Sequence, residues 1–190
     1  MKNIVIFGAP GSGKGTQSDK IIAEFGVEHI STGDVLRAEI KAETELGKTA
    51  ATYINEGKLV PDSLIVDMLA STLDAKGKDI KGVIFDGFPR TIPQAEALDA
   101  MLKERGQEVN VVVGLEVEDE ELIRRIIARG KTSGRADDNE ETAKKRLATY
   151  YSQTLPLKDF YVAQGKYAKI DGMGSIEDIY AEISKAIAVA

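Results

Sequence analysis

The sequence predicts an α/β fold in which a parallel sheet carries helices on both faces. Three observations lead there. Short β-branched runs of strand length alternate with helix-period segments along the whole chain of 190 residues. The runs are almost continuously apolar, as strands covered on both faces are. The first run stops abruptly at a glycine-rich turn that opens a helix. The length fits one domain, or one domain carrying small insertions.

Residues 2–7 form the first buried strand, residues 15–25 a helix, and residues 27–30 a second short strand. Residues 33–43 and 46–56 are two short helices, broken near Leu46-Gly47. After Pro61-Asp62, Ile65, Met68, Leu69 and Thr72 recur at helical spacing. Residues 82–86 are a strand, Ala95, Leu98, Met101 and Leu102 mark a helix, and residues 109–117 are a longer strand. Leu122, Ile123, Ile126 and Ile127 give another helix, followed by a polar stretch over 130–139. A long amphipathic helix begins near Glu140, with a kink expected at Pro156. Residues 167–170 are the last strand, and Ile176, Ile179, Tyr180, Ile183 and Ile187 mark the closing helix. Segments 31–60 and about 128–138 break the alternation and are candidate insertions; residues 1–30, 61–127 and 139–190 make the core.

Composition narrows the function. The chain has no cysteine, which excludes a disulfide framework and thiolate metal sites, and His29 is its only histidine. The N-terminal apolar run spans only residues 4–7, against about 7–15 for a signal-peptide core and about 20 for a membrane span. A cytoplasmic location without membrane contact is expected. A net charge of −6 argues against a broad nucleic-acid-binding face but not against a small anionic ligand.

The strongest local signal is Gly8-Ala9-Pro10-Gly11-Ser12-Gly13-Lys14-Gly15-Thr16, between the first strand and the first helix. Glycines let the backbone wrap an anion, and the helix N-terminus adds donors and positive potential. Lys14 reaches β- and γ-phosphates as a point charge. The general motif carries Ser or Thr directly after the lysine; here Gly15 stands there and Thr16 follows.

That departure is itself informative, because this variant of the loop resembles the one in nucleoside monophosphate kinases, most closely the adenylate kinase family. The resemblance runs through His29-Ile-Ser-Thr-Gly-Asp-Val-Leu-Arg37, Gly57-Lys-Leu-Val-Pro-Asp62, Asp86-Gly-Phe-Pro-Arg-Thr91 with Gln94, Arg129-Gly-Lys-Thr-Ser-Gly-Arg-Ala-Asp-Asp138, and Arg146. It implies a P-loop three-layer fold with a five-stranded parallel core, an NMP-binding insertion over 31–60 and a short lid over 128–138. It also implies reversible phosphoryl transfer from ATP to AMP giving two ADP, with Mg²⁺ accompanying ATP, in a monomer.

By this resemblance AMP lies beneath 31–60. Arg37 and Arg90 hold its phosphate, as planar guanidinium groups can bind two oxygens at once. The backbone of Lys58, Leu59 and Val60 lines the adenine pocket, with Gly87, Phe88 and Pro89 alongside. Gln94 reads the base, since a carboxamide donates and accepts together. Thr32, with Thr91, favours AMP over a pyrimidine monophosphate. ATP is expected on Gly11, Ser12, Gly13, Lys14, Gly15 and Thr16, with Arg125, Arg129 and Gly174. Arg129 contacts ATP, and Arg135 and Arg146 clasp the transferring and acceptor phosphates, so that Lys14, Arg90, Arg129, Arg135, Arg146 and Asp86 form the catalytic set.

Asp86 ends the third strand and is expected to hold magnesium through water, with no direct protein ligand and no structural zinc. Asp137 and Asp138 orient the arginines, whereas Arg124, on the opposite side of its helix, is read as solvated. His29 reads as structural, because the local sequence offers it no carboxylate partner. The lid is expected to be open and mobile without ATP, hinged near Gly130 and Gly134. The nearest alternative is a UMP/CMP kinase. A GTPase-type switch protein is the alternative of another class, but no Asn-Lys-x-Asp motif exists, and D-x-x-G at Asp74, Asp79 and Asp171 is too common a pattern to count.

Overall fold

The computed structural model describes residues Met1–Ala190. Five strands, β1 (Lys2–Gly8), β2 (Glu28–Ser31), β3 (Gly82–Asp86), β4 (Val111–Glu116) and β5 (Tyr167–Asp171), form one parallel sheet in the order β2-β3-β1-β4-β5. Successive strand side chains point to opposite faces, and the apolar runs divide accordingly. Val5, Phe7, Val83, Phe85 and Val112 enter one core, while Ile4, Ile6, Ile84, Val111 and Val113 enter the other. The expectation of a sheet covered on both sides holds.

On the first face lie α4 (Asp62–Lys76), α5 (Ile92–Glu104) and α8 (Leu157–Ala163), which contribute Leu69, Leu98, Leu102, Leu157 and Tyr161. On the second lie α1 (Lys14–Phe25) and α9 (Ile176–Ala188). The α9 seam is Ile179, Ile183 and Ile187, spaced one helical turn apart; each such burial contributes about 1.5–3 kcal/mol. Between β2 and α4 come α2 (Thr32–Lys41) and α3 (Glu45–Ile54), which pack on each other.

Two elements differ from expectation near the site. The polar stretch after residue 130 is helical at first: α6 runs Asp119–Ser133 and stops at Gly134, whose φ of 66° is left-handed. Three acidic residues in its first turn favour the helix through its dipole. Gly130 therefore lies within α6 and not in a loop. It is a close-approach glycine, because a Cβ there would lie 2.2 Å from the Asp138 carbonyl oxygen. Nor is the long helix after 140 simply kinked at Pro156. α7 (Glu140–Thr149) widens into a π turn at Tyr150–Thr154 before the proline is reached. Pro156 then sits just before α8, where its missing N–H is not needed.

Candidate functional site

Parallel pairing aligns Ile6 with Asp86 and Ser31 with Asp86, so the carboxyl ends of β1, β3 and β2 lie side by side. Ligands of open α/β sheets bind at this edge. From β1 the chain turns through the glycine loop into α1, with Gly13 as N-cap at φ 95°, a conformation that side chains with a Cβ resist. The Lys14 ammonium donates to the Gly8 and Ala9 carbonyls at 3.0 and 3.1 Å, which stations it at the mouth of the loop.

Two adjoining cavities open at this edge. The first is a chamber lined almost wholly by polar, charged and glycine residues, Pro10 being the one apolar side chain, and the loop residues Gly11, Gly13, Lys14, Gly15 and Thr16 line it. Arg37, Arg90, Arg125, Arg129, Arg135 and Arg146 converge on it from five different segments, and Asp86 lines it too. The second cavity has apolar walls from Leu36, Ile54, Val60 and Ile65. Thr32, Lys58, Leu59, Gly87, Pro89 and Gln94 complete it. Lys14, Arg37, Arg90 and Arg146 border both cavities.

The electrostatics are those of a site waiting for an anion. Burial pushes Arg90 down to about 10 against the partly opposing pull of Asp86, with Arg146 adding like-charge repulsion. Burial lowers Arg146 and Arg135 in the same direction, and burial lowers Lys14 to about 7 even with Asp86 nearby. Desolvated cations crowded this way are relieved by a polyanion. Burial works to raise the Asp86 carboxyl, but its bond from His29 and the charge of Lys14 outweigh this and hold it low.

Local ion pairs hold four of the six arginines, Arg37, Arg125, Arg129 and Arg146. Arg129 forks onto both oxygens of Asp138 at 2.9 and 2.7 Å, and Arg146 meets Asp137 at 3.1 Å and Asp138 at 3.5 Å. Arg37 pairs with Asp34 one turn earlier on α2. Arg125 donates to Glu121 at 2.8 Å and to the Gly172 carbonyl at 3.0 Å. Arg124 is 70% exposed and pairs only with Glu121, as its position on the outer face predicts.

Three of the expected residues line neither cavity. Phe88 is buried in the core, the Ser12 hydroxyl is buried without a partner, and Gly174 lies exposed on the loop before α9. Thr32 is buried with its hydroxyl donating to the Gly87 carbonyl at 2.9 Å, so only its lone pairs remain for a ligand. Gln94 is likewise partly committed, accepting from the Arg90 N–H at 2.7 Å and donating to Asp62 at 2.8 Å.

His29 does have a carboxylate partner, contrary to the reading of the local sequence: its Nε2 lies 3.4 Å from Asp86 Oδ2, and that bond raises its pKa. The two residues are far apart in sequence and meet only because β2 and β3 are neighbours. Thr149 was also missed. Its hydroxyl donates to the Gly57 carbonyl at 2.9 Å, tying the turn before Lys58 to the helix that carries Arg146. No helix is long and apolar enough to cross a membrane.

The family model described as adenylate kinase matches residues 6–166. Similar proteins include the adenylate kinases of Bacteroides fragilis, 65% identical with 98% of each chain covered, and of Phocaeicola vulgatus, 66% identical with the same coverage. The adenylate kinase of Maricaulis maris is 47% identical over 97% of this chain and 98% of its own.

Proposed function

This chain belongs to the adenylate kinase family, and from that premise we propose how its own residues carry out the family reaction. The enzyme is a phosphotransferase that moves a phosphoryl group reversibly between ATP and AMP to give two ADP. The observation behind the residue assignments is the wall that the two cavities share. Lys14, Arg37, Arg90 and Arg146 stand between a chamber dominated by charged and glycine residues and an apolar-walled pocket. An apolar pocket suits a purine, a cationic chamber suits a triphosphate, and the shared wall is where their phosphates meet.

ATP phosphates rest on the loop from Gly11 to Thr16, with Arg125 and Arg129 above them. The AMP phosphate is held by Arg37 and Arg90, and its adenine lies against Val60, Leu59 and the Lys58 backbone, with Thr32 and Gln94 at its edge. Lys14, Arg135 and Arg146 bridge the donor and acceptor phosphates. No general base is required, because the second phosphomonoester pKa is about 6 and AMP arrives largely dianionic. The obstacle is repulsion between anions, roughly 4 kcal/mol per unit charge pair at about 4 Å in an effective dielectric of about 20. The cationic cluster offsets it and stabilises charge on the transferring group. Closure of segment 31–60 and the loop after Ser133 over the substrates excludes water as a competing acceptor.

Magnesium fits this site in one way. No cluster of three or more acidic or histidine side chains is present to chelate an ion, and Gly15 offers no hydroxyl; Asp86 lines the chamber from the end of β3, with Asp19 and Asp34 as its other carboxylates. Such a site suits an ion that arrives with ATP and keeps most of its waters, with Asp86 holding one of them. When bound, Mg²⁺ neutralises charge on the donor phosphate oxygens. We read the protein as a cytoplasmic monomer. A bisubstrate mimic joining two adenosines through phosphates tests the shared wall. It should compete with both ATP and AMP; competition with only one of them would separate the cavities.

A further inference from the structure

We infer that Asp62 is a positioning residue that makes the acceptor site selective for adenine, by holding the Gln94 carboxamide in one of its two orientations. The inference rests on the reading that Gln94 faces the acceptor base.

A glutamine carboxamide is nearly symmetric in shape but opposite in polarity at its two ends, with two lone pairs on one side and two N–H groups on the other. Left free, it can turn over and read either of two opposite edges. Gln94 is not free. It is 2% exposed; its Oε1 accepts from the Arg90 backbone N–H at 2.7 Å, and its Nε2 donates to Asp62 Oδ1 at 2.8 Å. Turning the amide over would set an N–H group against the Arg90 N–H and an oxygen against a carboxylate oxygen. Two buried hydrogen bonds would become two repulsions. Asp62 is itself fixed: the Thr91 hydroxyl donates to the same Oδ1 at 3.0 Å while capping α5 through the Gln94 N–H at 3.3 Å.

One lone pair and one N–H of the amide remain for the cavity that Gln94 lines. An adenine edge presents an amino donor beside a ring-nitrogen acceptor, which this orientation satisfies. A 6-oxopurine presents the reverse, an oxygen acceptor beside a ring N–H, and can be satisfied only by the turned-over amide. The carboxylate, acting with the Arg90 N–H, thus converts a reader of either edge into a reader of one.

The test uses AMP and IMP, which share the same shape but carry opposite polarity at this edge. Specificity constants with Mg-ATP are measured for the wild-type enzyme, Asp62→Asn, Gln94→Ala and the double variant. Asparagine can bond the Gln94 amide in either orientation and leaves the Arg90 N–H alone to hold it, so Asp62→Asn is expected to lower the AMP:IMP ratio, by up to about tenfold. In the Gln94→Ala background the same substitution should leave the ratio where Gln94→Ala put it. Should Asp62→Asn fold poorly by its melting curve, Asp62→Ser, which also donates and accepts, carries the same comparison. A ratio unchanged in these Asp62 variants while Gln94→Ala collapses it overturns the role of Asp62 alone. A ratio that Gln94→Ala leaves at the wild-type value overturns both this role and the reading of the base pocket.

Discussion

Arg129 and Asp138 form a two-pronged ion pair whose carboxylate is wholly shielded from solvent, while the guanidinium keeps one edge on the chamber. Asp138 also accepts from the Ser133 hydroxyl at 2.7 Å and lies 3.5 Å from Arg146, so a single carboxylate ties the last turns of α6 to α7. Burial alone would raise the carboxyl, and the Arg129 and Ser133 bonds overcome this and lower it. Asp138→Ala is expected to cost about 1–3 kcal/mol, less than for a fully buried pair because Arg129 is partly exposed. It should also raise the KM for ATP. Thermal unfolding and steady-state kinetics check both effects, and an unchanged melting temperature would contradict this role.

The arginines divide into two groups by burial. Arg90→Ala and Arg135→Ala should each slow turnover by about 10³–10⁵ while leaving the protein folded. Loss of Arg90 also relieves like-charge repulsion with Arg146 and Arg37, so no large loss of stability is expected. Arg124→Ala, on the solvated face of α6, should be nearly silent. Turnover measured beside circular dichroism checks this; equal small losses at all three would contradict the assignment.

Lys14 links binding to protons. Burial lowers its ammonium to about 7 in the ligand-free site, so at pH 8 it is mostly neutral there. Phosphates favour the charged form and raise the pKa again. Between pH 7 and that raised value, ATP binding should take up protons, and affinity should fall as pH rises through the window. Calorimetry at pH 8 in two buffers of different ionisation enthalpy should show uptake approaching one proton per ATP. Equal heats in the two buffers would contradict it.

Most of the sheet was legible because each strand is a short apolar run and each core helix repeats its apolar residues every turn. The phosphate loop was legible because its function requires glycines and a lysine in consecutive positions. What stayed hidden depends on residues far apart in sequence. His29 meets Asp86 only through strand pairing, Gln94 meets Asp62 only because α4 and α5 pack together, and Thr149 reaches Gly57 across the site. Gly130 reads as a loop glycine from the sequence alone; its close approach by the Asp138 carbonyl lies in the packing. The π turn at Tyr150–Thr154 left no local mark, since nothing in Tyr-Tyr-Ser-Gln-Thr forbids an ordinary helix.

Chelation should separate activity from stability. With no cluster of ligating side chains to hold a metal of its own, the site is expected to lose turnover in EDTA through removal of the ion that accompanies ATP. The melting temperature of the free protein should stay the same, and a large fall in EDTA would reveal a metal that supports the fold.

The central claim is that one site joins ATP to AMP, and the acceptor specificity of the purified protein tests it most directly. With Mg-ATP and each nucleoside monophosphate offered separately, diphosphate formation with AMP should exceed that with UMP, CMP and GMP by orders of magnitude in kcat/KM, because unmatched polar groups in a buried base pocket penalise the wrong base heavily. Comparable rates with UMP, or no diphosphate formed from AMP, would contradict the account.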